Sequence, residues 1–204
     1  VTALYLASKS PRRRQILEQM GVSDISLIVV GKTQLTAYEG DETQGSDEPP
    51  EDYVVRTSRM KALQAMDRIR SEQLPAAPVL AADTIVVLDG KVLGKPRDRA
   101  EARSFMKRLS GRTHEVRTAV TVGTDGRNIK TLVSVSCVTF CRMTEEQIEG
   151  YIASPEPYDK AGGYGLQGLA GLFIRKIEGS YSGIMGLPVY ETAQLLRPYG
   201  LTAL

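Results

Sequence analysis

The sequence predicts an α/β protein built on a mixed β-sheet, and three observations carry that expectation. Apolar runs of strand length alternate with segments of helical periodicity, and no repeat or low-complexity tract interrupts them. Asp89-Gly90 and Asp125-Gly126 each stand between two strand-like runs, where they make hairpins and therefore antiparallel pairs. Strand–helix–strand order at the start of the chain calls for parallel pairing as well, so the sheet holds both kinds.

Taken in order, residues 4–7 form a short apolar strand. Residues 11–20 follow as a helix closed by Gly21, with Ser10 as N-cap: its hydroxyl can accept an orphan backbone N–H, and Pro11 has none to satisfy. A second strand is expected over residues 25–30. Residues 31–50 then read as a long polar loop, with Gly40, Gly45, Pro49, Pro50 and many acids; loops of this length are mobile or functional. Residues 51–72 form a helix with Tyr53, Val54, Met60, Leu63 and Ile69 as its buried stripe. Residues 79–88 make the strongest strand, turning at Asp89-Gly90 into residues 91–93. Asp98-Arg99-Ala100-Glu101 opens a helix over 99–109 that Gly111 ends, and residues 113–124 and 128–140 form the second hairpin. Thr144-Glu145-Glu146-Gln147 opens a helix through Ala153. A glycine-rich stretch, a strand over 172–177, a turn at Glu178-Gly179 and a helix after Pro188 complete the chain.

At 204 residues, with no compositional break, residues 1–204 read as a single domain with a substantial core. The formal charge of +2 is close to neutral, and no aromatic-basic platform is present, so nucleic acid is excluded as a partner. No apolar run approaches the ~20 residues that span a bilayer. The opening apolar stretch is too short for a signal peptide and is followed by arginines, so a cytoplasmic protein without a membrane partner is expected. Cys137 and Cys141 fall four apart on one face of a strand, too distant for a disulfide, and His114 is the only histidine. Both thiols are expected to be free and buried, which fits a reducing compartment. His114, in a strand-like run, reads as structural.

The chemistry begins at Ser8-Lys9-Ser10-Pro11-Arg12-Arg13-Arg14. A strand feeding a helix N-terminus is a natural anion site, and arginine adds forked donors matched to phosphate oxygens. A modification or localisation motif would need an exposed, flexible segment. Here Leu4, Leu6, Ile16, Leu17 and Met20 flank the run at structured spacing, which favours a polyphosphate site. Asp83 interrupts an otherwise apolar strand, and a carboxylate there is costly unless paired, hydrogen-bonded or metal-bound. Thr84 alternates to the other face. Lys95, between Gly94 and Pro96, is a placed point charge on a stiff loop, while Lys61 sits mid-helix and alone signifies little. The run from Gly162 to Gly168 contains a literal G-x-G-x-x-G, but it does not run from strand into helix, so it is not a dinucleotide fingerprint. Its glycines permit a tight loop close to a ligand, and Gln167 offers donors and an acceptor to a base edge.

These segments together resemble the Maf family of nucleoside triphosphate pyrophosphatases. The matching residues are Ala7-Ser8-Lys9-Ser10-Pro11-Arg12-Arg13, Ala82-Asp83-Thr84-Ile85-Val86, Leu93-Gly94-Lys95-Pro96, Asp159-Lys160-Ala161-Gly162-Gly163-Tyr164-Gly165-Leu166-Gln167-Gly168, Ile177-Glu178-Gly179-Ser180-Tyr181 and Gly186-Leu187-Pro188. The resemblance implies an elongated α/β fold of two lobes about a central cleft, similar to inosine triphosphate pyrophosphatases. It implies cleavage between the α and β phosphates of a nucleoside triphosphate, in the subgroup acting on dTTP, UTP and modified uridine nucleotides. A second subgroup prefers 7-methyl-GTP. Asp83 matches the catalytic carboxylate; Arg13, Thr84 and Gln167 match positions of substrate preference; Ser8, Arg12, Lys61 and Lys95 match further active-site positions. Mg²⁺ or Mn²⁺ is expected at Asp83, and a homodimer is implied because dimers are common in the family. Many members carry an acidic cluster after the second strand, where this chain reads Gly31-Lys32-Thr33-Gln34. Acids come later, at Glu39, Asp41, Glu42, Asp47 and Glu48, which leaves the other metal ligands open. The family's association with septum formation supplies the rival reading, a nucleotide sensor in cell division.

Overall fold

Residues 3–28 and 44–202 are described by a computed structural model. The strands are β1 (Leu4–Leu6), β2 (Ile25–Leu27), β3 (Val79–Leu88), β4 (Lys91–Leu93), β5 (Thr113–Gly123), β6 (Ile129–Phe140) and β7 (Ile174–Glu178). The helices are α1 (Pro11–Gln19), α2 (Pro50–Ser71), α3 (Arg99–Leu109), α4 (Glu145–Ile152), α5 (Tyr181–Ile184) and α6 (Val189–Leu196). All seven strands form one sheet in the order β2-β1-β3-β5-β6-β7, with β4 added to β3. β1 lies parallel to β2 and β3, and the other pairs are antiparallel, so the expected mixed sheet is present. Among the described residues no helix is long and apolar enough to cross a membrane.

β3 is apolar almost throughout because both its faces are covered. Leu80 and Ala82 pack with Leu4, Leu6, Ile16 and Leu17 of β1 and α1 and with Leu195 and Leu196 of α6. Val79, Ala81, Ile85 and Val87 face α2 through Val54, Ala62, Ala65 and Met66. Further along, Val86, Leu88 and Leu93 meet Phe105 and Met106 of α3 and Ile148 and Ile152 of α4. Burial of each such large apolar side chain stabilises the fold by about 1.5–3 kcal/mol.

Several expectations are corrected in detail. Ser10 stands at the N-cap of α1, but its hydroxyl makes no capping bond; Ser8 Oγ instead accepts from the Ser10 N–H. The buried stripe of α2 is Val54, as expected, with Thr57, Ser58, Ala62, Ala65 and Met66, while Tyr53, Leu63 and Ile69 pack at its margin only partly buried, because the helix lies close against the sheet. Ser58 Oγ meets Thr121 Oγ1 at 2.8 Å across that contact. β2 ends at Leu27 with Ile28 already outside it; positions 29 and 30 of the expected strand, most of the polar loop, and Glu39, Asp41 and Glu42 lie outside the described residues. Glu48 is spent on Arg56, whose guanidinium holds its carboxyl down at about 2. The two cysteines are free, as expected, but half-buried; Cys141 lies beyond β6, past a register shift at Thr139/Phe140. The last strand starts later than expected because Leu169–Leu172 turns as a 3-10 helix.

Candidate active site

The pairing registers open a gap in the sheet. β1 accompanies β3 only at Tyr5↔Val79 and Leu6↔Leu80, and β4 joins the same edge only from Val86↔Leu93. Between them residues 81–85 of β3 have β5 on one side and, among the described residues, no strand on the other. At about 3.3 Å per residue the gap is roughly 13–16 Å long. Each end of it is a chain exit. β1 runs on through Ala7, whose N–H donates to Leu80 O at 2.8 Å, to Ser8 and the start of α1. β4, antiparallel to β3, runs on through Gly94 and Lys95 from the opposite end. A position where neighbouring strands diverge is where α/β sheets place their ligand crevices.

Asp83 and Thr84 lie in this gap and project to opposite faces of the sheet. On the α2 face, Asp83 Oδ1 accepts from Lys61 Nζ at 2.7 Å and Oδ2 accepts from Thr57 Oγ1 at 2.7 Å. The Lys61 and Asp83 side chains are each 16% exposed, which leaves the pair open to a ligand yet shielded from most solvent. Thr57 and Lys61 stand one turn apart on α2, so the helix presents both donors together.

On the other face Arg13 spreads its guanidinium over three partners. Nε donates to Gly186 O at 2.8 Å, Nη1 to Ser8 Oγ at 3.2 Å and Nη2 to Thr84 Oγ1 at 3.3 Å. Thr118, fully buried, donates to Gly183 O at 2.8 Å, so in its 2.9 Å contact with Thr84 the Thr84 hydroxyl is the donor. Arg13 thereby ties α1, β3 and the segment before α6 into one arrangement. The structure gives Asp83 to Lys61 and Arg13 to Thr84, because successive strand residues alternate in direction.

The glycine-rich segment forms a third wall. Gly162 N–H donates to Gly94 O at 3.0 Å, docking this segment against the exit of β4. Gly162 has φ +69°, and a Cβ there would stand 2.7 Å from Val86 Cγ2. Gly162→Ala is therefore expected to lower stability by about 2–4 kcal/mol, combining left-handed strain with overpacking, as a urea midpoint would show. Tyr164 OH lies 2.6 Å from His114 Nε2, with edge-on rings, so His114 is structural as expected. Partial burial pushes the Asp159 carboxyl up, but Lys160 at 2.6 Å and the charge of Arg12 outweigh it and hold it below the usual range. Arg12 thus faces this wall electrostatically. Lys95 and Gln167 are exposed.

Thr57, Thr118 and Glu156 were not picked out from sequence. Thr57 had one legible signal, its place four residues before Lys61 on a helix packed against β3. Among the described residues no three His, Cys, Asp or Glu side chains gather as a metal group. Mg²⁺ commonly takes one or two carboxylates and fills its shell with phosphate oxygens and water. Asp83, with lone pairs beyond its two accepted bonds, fits the share of one such carboxylate. A cavity of about 580 Å³ lies elsewhere, before the start of β3, lined by Met66, Ile69, Arg70, Pro78, Asp125 and Tyr199 among others, and holds none of these groups.

Comparison with known proteins agrees with the motifs. A family model described as Maf-like protein matches residues 3–199. A dTTP/UTP pyrophosphatase of Bordetella avium is 51% identical over 97% of this chain and 96% of its own. One of Dechloromonas aromatica is 45% identical over 98% and 99%. The Ham1 protein of Staphylococcus aureus overlaps 68% of this chain and 72% of its own at 14% identity and a TM-score of 0.45, a partial overlap. With a match along nearly its whole length and relatives about half identical to it, the chain belongs to the Maf family.

Proposed function

We propose that this protein hydrolyses the α–β anhydride of dTTP and UTP, releasing the nucleoside monophosphate and pyrophosphate. The observation that carries this reading is the gap at residues 81–85, with the Asp83–Lys61 pair on one face and the Arg13–Thr84–Ser8 cluster on the other. Relatives named dTTP/UTP pyrophosphatase that align over almost the full chain support the substrate. The residues then divide as follows. Arg12, Arg13, Lys61 and Lys95 neutralise the triphosphate and the leaving pyrophosphate. Ser8 and Thr84 orient the phosphate oxygens and keep Arg13 in place. Asp83, paired with Lys61, accepts a proton from the attacking water or binds the metal. Gln167 meets the base edge. Mg²⁺ or Mn²⁺ held at Asp83 would supply further neutralisation of phosphate charge and acidify bound water. Phosphoryl chemistry depends mainly on positioning and electrostatics, and a cation-rich crevice provides both.

The test is pyrophosphate release from dTTP, UTP, CTP, GTP and 7-methyl-GTP, with and without Mg²⁺. Metal-dependent release, fastest with dTTP and UTP, is expected. Binding without release would favour a sensor, and a preference for 7-methyl-GTP would move the protein to the other subgroup. Thr57→Val keeps the shape of the side chain and removes the donor to Asp83 Oδ2. It is expected to lower kcat about tenfold with little change in KM, and Thr57→Ser is expected to restore most of the loss.

A further inference from the structure

We infer that Glu156 is a positioning residue for base selection: its carboxylate sets the shape of the turn that presents Gln167. The inference rests on the reading of Gln167 as the side chain that meets the base.

Gln167 lies between Gly165 and Gly168 on an exposed turn with no strand or α-helix to hold it. Upstream, the turn is anchored by Gly162 on Gly94 O and by Tyr164 on His114. Downstream, Ala170 and Phe173 are buried in the core, and the first amides of the segment are held by one carboxylate. Glu156 Oε2 accepts from Leu169 N–H at 2.7 Å and Oε1 from Ala170 N–H at 3.2 Å. These are first amides of the 3-10 turn Leu169–Leu172, which has no side-chain cap from its own N-cap residue, Gly168. A carboxylate thirteen and fourteen residues away supplies that cap.

The same carboxylate reaches the upstream flank. Tyr151 OH lies 3.1 Å from Glu156 Oε1 and 3.1 Å from Gly163 O, so one buried phenol stands between the two ends of the turn. The glycine at 168 follows from this arrangement, since a Cβ there would overlap the Glu156 carboxylate. At Gly165 a Cβ would stand 2.9 Å from Lys160 Cε, and Lys160 Nζ itself donates to Glu156 O at 3.1 Å. The turn therefore closes against Glu156 at Gly168 and against Lys160 at Gly165. Charge-assisted bonds to backbone amides are the stronger kind, so the carboxylate is worth more here than a neutral group of the same shape.

Glu156→Gln preserves size but turns one accepting oxygen into a donor, which cannot serve both amides and Tyr151. The turn loosens, and Gln167 no longer meets the base in one geometry. The experiment measures kcat/KM for UTP against CTP and GTP in the native enzyme, Glu156→Gln, Gln167→Ala and the double variant. Glu156→Gln is expected to lower selectivity on the order of tenfold, through KM rather than kcat. The double variant is expected to match Gln167→Ala alone, because both changes remove one interaction. Native selectivity in Glu156→Gln, alongside lost selectivity in Gln167→Ala, would overturn the inference and leave the base-contact role intact. Unchanged selectivity in Gln167→Ala would overturn that role itself and the inference with it, and additive losses in the double variant would overturn the inference alone. Should Glu156→Gln be recovered unfolded, Glu156→Asp carries the same readout, since it keeps both oxygens and retracts them by one methylene.

Discussion

Asp83→Asn is expected to lower kcat by roughly 10³-fold while the protein stays folded. Asparagine matches the shape of aspartate and can still accept from Thr57 Oγ1, so β3 keeps its pairing with β5. What it lacks is the charge. Without it the 2.7 Å ion pair to Lys61 is gone, and neither a metal nor a water proton has a carboxylate to go to. Removing one partner of a pair only 16% exposed on each side is expected to cost about 1–3 kcal/mol of stability, visible as a lower melting temperature. A variant that melted cooperatively yet kept near-native, metal-dependent turnover would remove Asp83 from the chemistry. Equal loss of folding and of activity would leave Asp83 structural only.

Acid is expected to weaken the fold through His114. This side chain is 3% exposed, and burial pushes its pKa down from the ordinary 6.5 to about 4. Above pH 6.5 neither folded nor unfolded chain carries the proton, and the contribution to stability is complete. Between pH 6.5 and 4 the unfolded chain binds a proton that the folded one refuses, so stability falls as pH falls. The full loss is about 3 kcal/mol, from about 2.5 pH units at 1.36 kcal/mol each. The ring that titrates is the one that meets Tyr164 of the glycine-rich segment. His114→Gln has no such titration. Urea unfolding at pH 7 and 4.5 is expected to show the native protein losing about 2–3 kcal/mol more than this variant. Parallel losses would show that His114 protonates without cost.

Much of the fold was legible because local chemistry and tertiary position agree. β3 covers the ten residues read as a doubly buried strand, and Asp89-Gly90 turns into β4 as expected. Asp98 accepts from Glu101 N–H, and Thr144 with Gln147 closes a reciprocal capping box, as their spacing implied. Apart from Val54, the centre of the α2 stripe was missed because large apolar residues were weighted over position. The face toward the sheet carries Thr57, Ser58, Ala62 and Ala65, small enough to let helix and strand approach. α5 was missed although Ser180 caps it, since four residues give no periodicity to read. Within the site, Asp83 announced itself as a charge in an apolar strand. Arg13 was legible as a phosphate-type cation, but its bonds to Thr84 and Gly186 join residues 71 and 173 apart in sequence. No local pattern encodes such contacts. Glu156 was hidden for the same reason: its partners are backbone amides, which have no residue type to recognise.

The central claim is that the opening between β1 and β4 is where the triphosphate reacts. The most direct measurement is a crystal structure with a UTP analogue whose α–β bridge cannot be hydrolysed, grown with Mg²⁺. The expected density puts the phosphates in the opening at residues 81–85, with the α-phosphate near Asp83, the chain of oxygens against the Ser8–Arg13 turn, and the uracil at Gln167. A nucleotide seated instead in the cavity beside Arg70, Asp125 and Tyr199, with Asp83 still closed onto Lys61 and Thr57, would contradict it.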